Sequence, residues 1–149
     1  MLLESWKSEK NMTPEDYLIL KYLNEVGGIM FAEVIVGQGG VHKWPAGSKP
    51  RRIDAVRIPT SNQKEIVTFR KKLNGDRFKE LVTGERVEVI EAKQKLNRLV
   101  VGQSIVGADM LDLDYQPYSI KQVIVCKVGD PLLEMIVERR GIQVWKAGD

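Results

Sequence analysis

The sequence predicts an α/β fold, a mixed central sheet with helices on its flanks. Three observations predict it. Strand-length runs rich in Val, Ile and Ala recur at 29–36, 52–58, 85–93 and 120–128. Segments with helical spacing and start or stop signals lie among them, at 13–26, 96–111 and 130–140. The 149 residues are 43% hydrophobic and 29% charged, enough for one core and too few for two full domains. Residues 1–149 are therefore expected to form a single domain.

Each element follows from local chemistry. Residues 1–12 are polar with scattered apolar positions and suit a short helix or a loose arm. Thr13 is placed as an N-cap, Pro14 at the first helical position and Asp16 as the capping-box acid. Leu18, Ile19, Tyr22, Leu23 and Val26 repeat at helical spacing, and Gly27-Gly28 stop the helix. The run IMFAEVIV is a strand, followed by a Gly-rich basic loop from Gly37 to Pro50. Arg52 to Ile58 is a second strand, ended by Pro59. Residues 61–84 read as an insertion holding two short helices, SNQKEIVTFRKKL and GDRFKELVTG. Glu85 to Lys93 is a third strand. A helix from Leu96 to Leu111 places Leu99, Val100, Gln103, Val106 and Met110 at helical spacing, and Gly102 and Gly107 allow close backbone approach. Ile120 to Val128 is a fourth strand. A C-terminal helix capped by Asp130-Pro131 and a short strand at Ile142 to Trp145 complete the chain.

Composition narrows the chemistry. One cysteine, Cys126, excludes an intrachain disulfide and a cysteine metal cluster, and is most simply a buried thiol. One histidine, His42, excludes His-rich zinc sites; it reads as a surface or phosphate-contacting residue. Gly47-Ser48-Lys49 lacks the order of a P-loop. Trp6 and Trp145 read as packing residues. No apolar run approaches the roughly 20 residues of a membrane span, and no signal-peptide core follows the mixed charges of the N-terminus. A cytoplasmic protein without membrane contact is expected.

The net charge of +3 is unevenly placed. Residues 43–79 hold eleven Lys or Arg against three acids, a net +8, so the rest of the chain sums to −5. Such a block suits a polyanion, of which nucleic acid is the usual one, and equally suits a solvated basic face.

Two acids stand where strands are normally apolar. In VEVIEAK, alternation puts Val87, Val89, Glu91 and Lys93 on one face; in RRIDAVRI, Asp54 interrupts the second strand. If these strands pair antiparallel, Asp54, early in its strand, meets Glu91 and Lys93, late in theirs. Two convergent carboxylates are hard ligands for Mg²⁺ or Mn²⁺, and a lysine beside them can orient or deprotonate water. That is apparatus for hydrolysing a phosphodiester.

Asp54, the E-x-K of Glu91 and Lys93, and Gln103 on the following helix resemble the PD-(D/E)XK nuclease superfamily, from Thr13 to about Val128. The resemblance implies a restriction-endonuclease-like α-β-β-β-α-β core and metal-dependent cleavage of DNA. Asp54 and Glu91 would be the metal ligands, Lys93 the catalytic lysine and Gln103 a glutamine turned towards the site. Ile53 stands in place of the proline of the family name, and 36 residues separate Asp54 from Glu91, consistent with an insertion at the hairpin tip. The helix-Gly-Gly-strand run is similar to that of archaeal Holliday-junction resolvases, with Asp16, Ile19, Leu23 and Gly27 at similar spacing. A further acid is open between Glu33, Glu15 and Asp16, with Glu33 ranked ahead of Glu15. Glu33 lies in an apolar strand on the face of Phe31 and Ile35. Glu15 and Asp16 are also explained as first-turn acids favoured by the helix dipole.

The loop before Asp54 enters at this end of the strand. Lys43, Lys49, Arg51 and Arg52 are candidate phosphate contacts. Trp44 is either a base-stacking side chain or a lid over the core. Arg70, Lys71 and Lys72 belong to the insertion, expected roughly 17 Å from the metal by counting five strand steps from Asp54 to Pro59. The leading expectation is a Mg²⁺-dependent deoxyribonuclease, with a homodimer plausible for cutting two strands. The alternatives are a non-cleaving nucleic-acid-binding module and a structural or assembly protein using the basic block.

Overall fold

The structure is a computed structural model that describes residues 6–38, 42–59, 63–70 and 72–148. Six strands form one mixed sheet: β1 (Gly28–Val36), β2 (Arg51–Ile58), β3 (Lys64–Thr68), β4 (Arg86–Lys95), β5 (Ser119–Val128) and β6 (Gln143–Lys146). Their spatial order is β3-β1-β2-β4-β5-β6. β2 pairs antiparallel with β1 and β4; the β1–β3, β4–β5 and β5–β6 pairs are parallel. Among the described residues, four α-helices flank the sheet: α1 (Pro14–Val26), α2 (Lys72–Val82), α3 (Arg98–Tyr115) and α4 (Pro131–Arg139).

The helices divide unequally between the two faces. Leu18, Ile19, Tyr22 and Leu23 of α1 pack on Met30, Ala55, Ile90, Val123 and Val125. The opposite face carries Phe31, Ile53, Val56, Val87 and Val89 under Phe78 of α2 and Ala108 and Leu111 of α3. Further along it, Ile124 and Cys126 lie under Val100 of α3 and Val137 of α4. Alternate residues of β5 thus feed opposite cores, as a strand covered on both sides requires.

The start of α1 is built as its sequence implies. The Thr13 side chain accepts from the Asp16 N–H at 3.1 Å, and the Asp16 carboxylate accepts from the Thr13 N–H at 3.0 Å. A cap of this kind contributes about 1 kcal/mol. Gly27, at φ 73°, ends the helix. Val26, on its last turn, is exposed rather than in the core.

The segment after β2 departs from expectation. Lys64–Thr68 is strand β3, not a helix, and the helix after it begins at Lys72. Ile66-Val67-Thr68 is β-branched throughout and covers the outer edge of β1, with Ile66 fully buried. Residues 61–84 therefore extend the sheet and its helix layer instead of projecting from a hairpin tip; 61, 62 and 71 lie outside the described residues.

The buried side of α3 also differs. Val100, Ser104, Gly107, Ala108 and Leu111 face the sheet, whereas Leu99 and Val106 are exposed. The small residues set this choice. A Cβ on Gly107 would meet Ile53 Cγ1 at 3.2 Å and Glu91 Oε2 at 3.4 Å, so a larger side chain would have to push these neighbours aside. Cys126 is buried, and Trp6 and Trp145 pack against the α1 core. Among the described residues, no helix is long and apolar enough to cross a membrane.

Candidate active site

The sheet is interrupted at one level across three strands. β1 and β2 pair regularly from Ile29↔Ile58 to Ala32↔Ala55 and resume at Val34↔Ile53, leaving Glu33 opposite Asp54 without a ladder pair. β2 and β4 pair at Arg57↔Glu88, Val56↔Val89 and Ala55↔Ile90, and their pairing ends there. Beyond that point side chains replace the backbone ladder. The Ala92 N–H donates to Asp54 Oδ2 at 2.9 Å, and the Asp54 N–H donates to Glu91 Oε1 at 3.2 Å. The two acids that broke the apolar strand patterns thus bridge the gap between their strands.

Glu33 has φ 58°, a left-handed conformation that costs a non-glycine residue roughly 1 kcal/mol or more. The turn reverses the alternation of β1: Phe31, Val34 and Val36 share one core. Glu33 consequently does not stay on the face of Phe31, as strict alternation required. It lines a cavity together with Ile19 of α1, on the other side of the sheet.

That cavity, of about 440 Å³, brings together Glu15, Glu33, Asp54, Lys93 and Gln103. Glu91 is 3% exposed and lies between this cavity and α3. Burial, reinforced by the Asp54 charge, pushes the Glu91 carboxyl up to about 9. Burial also raises Asp54, against the pull of the Ala92 N–H, and the charge of Glu15 adds to the rise. Arg52 draws both carboxyls down. Its guanidinium sits 3.0 Å from Glu33 Oε1, and Arg70 Nη2 lies 3.9 Å from the same oxygen. Arg70 therefore reaches Glu33 at the edge of the site instead of standing off at a hairpin tip, because β3 runs parallel to β1 and carries the chain back to the level of Glu33.

Asp16 belongs to the capping box, and its Oδ2 also receives Lys7 Nζ at 2.9 Å. Between the two first-turn acids, Glu15 carries the charge felt by Asp54. Sequence reasoning missed Lys7, which lines the cavity from the N-terminal segment. No local pattern marks it, since only folding sets that segment beside α1.

The basic loop behaves differently from its reading as a site loop. The Trp44 indole N–H donates to Asp114 Oδ1 at 2.8 Å, and Asp114 Oδ2 accepts from the Gly37 N–H at 2.6 Å. Trp44 and the His42 ring that meets it edge-on are thereby tied to the end of α3, and neither lines the cavity. Lys43 and Lys49 are exposed. Arg51 donates to the Lys49 carbonyl and lines a neighbouring groove. Lys71 lies outside the described residues, and Lys72 opens α2.

The donor chemistry of the Asp54–Glu91 pair fits a hard divalent cation: two carboxyls in contact, Glu91 buried and Asp54 half-buried, both held in the protonated direction chiefly by burial. Among the described residues, no three His, Cys, Asp or Glu side chains gather as a ready-made metal cluster, and Glu33 is engaged by Arg52. No protein-family model, curated protein or solved structure matches the chain.

Proposed function

We propose that this protein is a Mg²⁺- or Mn²⁺-dependent DNA nuclease with a PD-(D/E)XK-type site on a restriction-endonuclease-like core. One observation carries the reading. Asp54 and Glu91 meet where β2 and β4 part, beside the cavity lined by Lys93 and Gln103. Two carboxyls this close, each raised by burial, bridge the strands at a cost that a cationic ligand would relieve.

Asp54 and Glu91 would hold the metal, which would supply charge to polarise a phosphoryl oxygen. Lys93 Nζ would orient the attacking water and offset charge on the phosphorane-like transition state. Arg52, now on Glu33, is placed to exchange that carboxylate for a DNA phosphate. The exchange would free Glu33 to join the site when substrate is present. Gln103 is exposed at the mouth of the cavity, where its amide can hold the phosphate or sugar.

A DNA-binding module without cleavage is the second reading, favoured by the Glu33–Arg52 pair, which withholds a third carboxylate. Incubation with plasmid, linear duplex, single-stranded and branched DNA, with Mg²⁺ or with EDTA, separates the two. Cleavage is expected only with the metal. Asp54→Ala should abolish it with folding intact, and Lys93→Ala should lower kcat far more than DNA affinity. Full activity in EDTA or in Asp54→Ala would refute the nuclease reading.

A further inference from the structure

Across Gln103 from the carboxylate cavity lies a second open groove, of about 390 Å³. Arg52 and Gln103 line both spaces, while Asp54 faces the first and Glu91 the second. The carboxylate pair therefore lies between the two spaces. The floor of the groove is the outer side of α3. Leu99 and Val106 are 65% and 52% exposed there, large apolar surfaces that the protein's own core does not use. Gly102 lies between them, and a Cβ added to it would meet nothing within 4 Å. Arg51, Arg52 and Arg98 also line the groove.

An open apolar floor lined by three arginines suits a flat apolar ring joined to an anion. An acidic peptide would need separate acidic and apolar side chains to meet the arginines and the floor, whereas one nucleotide carries both a ring and an anion. A paired duplex would keep its bases stacked, out of reach of Leu99 and Val106. We infer that the groove holds an unpaired nucleobase of the strand whose phosphate lies at Asp54 and Glu91, so that single-stranded or frayed DNA is the substrate. The identity of the ligand rests on the nuclease reading; the apolar floor and its arginines do not.

The test is binding of a fluorescein-labelled thymidine oligonucleotide of roughly 12 nucleotides against the same chain made of abasic sites. Fluorescence anisotropy in EDTA reads affinity without cleavage. Wild type should bind the thymidine strand about tenfold more tightly, the size expected of base stacking. Gly102→Leu, which fills the floor and replaces a helix glycine with a better helix former, should level the two affinities without lowering Tm. Leu99→Ser combined with Val106→Ser, both at exposed positions, should level them as well. Equal wild-type affinities, no binding of either strand, or variants that keep the base preference would overturn the inference and leave the groove to an acidic protein partner. Cleavage is scored separately. A base preference without Mg²⁺-dependent cleavage would fail the nuclease reading alone, and cleavage without the preference would fail the groove alone.

Discussion

Glu91 shows at the scale of one residue how a site can oppose its own fold. Its carboxyl stands at about 9 in the folded chain, against an ordinary value of 4.5. An acid raised on folding makes the native state less stable at every pH above its unfolded value. The penalty is absent below about 4.5, grows as pH rises, and levels off above about 9. Glu91→Gln keeps an oxygen for the Asp54 N–H and removes the charge. In EDTA its Tm should exceed that of wild type by roughly 4 °C or more at pH 8. The difference should vanish near pH 4.5. Differential scanning calorimetry across this range checks it, and identical Tm values throughout would mean the pair is not strained.

The β2–β4 element holds a second buried charge pair that does the opposite. Arg57 Nε and Nη2 donate to the two Glu88 oxygens at 2.8 and 2.9 Å, and Arg57 Nη1 donates to the Gly27 carbonyl at 2.9 Å. The Tyr22 hydroxyl donates to Glu88 Oε1 at 2.6 Å, joining α1 to the sheet. These bonds hold the Glu88 carboxyl below its usual range against the effect of burial, and burial beside Glu88 pushes the Tyr22 hydroxyl up. Glu88→Gln leaves Arg57 buried without a counter-charge and should cost about 3–5 kcal/mol at pH 7. A carboxyl lowered on folding contributes stability above its unfolded value that is lost as pH falls through its folded one. The gap between wild type and variant should therefore begin to narrow as pH falls below about 4.5. Urea titrations at pH 7 and pH 3.5 measure both effects. Replacing Tyr22, Arg57 and Glu88 together with Phe, Met and Leu should restore much of the loss, because the charges leave together and the Gly27 carbonyl alone among these partners loses its donor.

Over the whole molecule, chain topology decides which basic residues meet the site. β3 returns alongside β1, so Arg70 reaches Glu33, while Trp44 is drawn away to Asp114 at the end of α3. Arg70→Ala is accordingly expected to slow single-turnover cleavage as well as weaken binding. The slope of log affinity against log salt should fall by about 0.9, one phosphate contact. Trp44→Phe, by contrast, should lower Tm through the lost Asp114 bond and leave the cleavage rate unchanged. Normal cleavage by Arg70→Ala with weakened binding would return Arg70 to a remote contact.

Much of the site was legible before folding because it violates local rules. Asp54 and Glu91 stand out as carboxylates in apolar strands, and antiparallel pairing alone is enough to bring them together. The cap of α1, the strands β1, β2, β4 and β5, and the burial of Cys126 follow from periodicity and residue chemistry in the same way. Other features depend on neighbours that no local pattern names. Lys64–Thr68 carries both helical and β-rich signals, and the open edge of β1 selected the strand. Leu99 and Val106 repeat as a core face should, yet Gly107 and Ala108 turned α3 the other way, since close packing favoured small residues against Ile53 and Glu91. Glu33 changed faces through a single backbone angle. Alternation and helical spacing are properties of one segment, whereas edges, close approaches and strained turns belong to pairs of segments and exist only once the chain is packed.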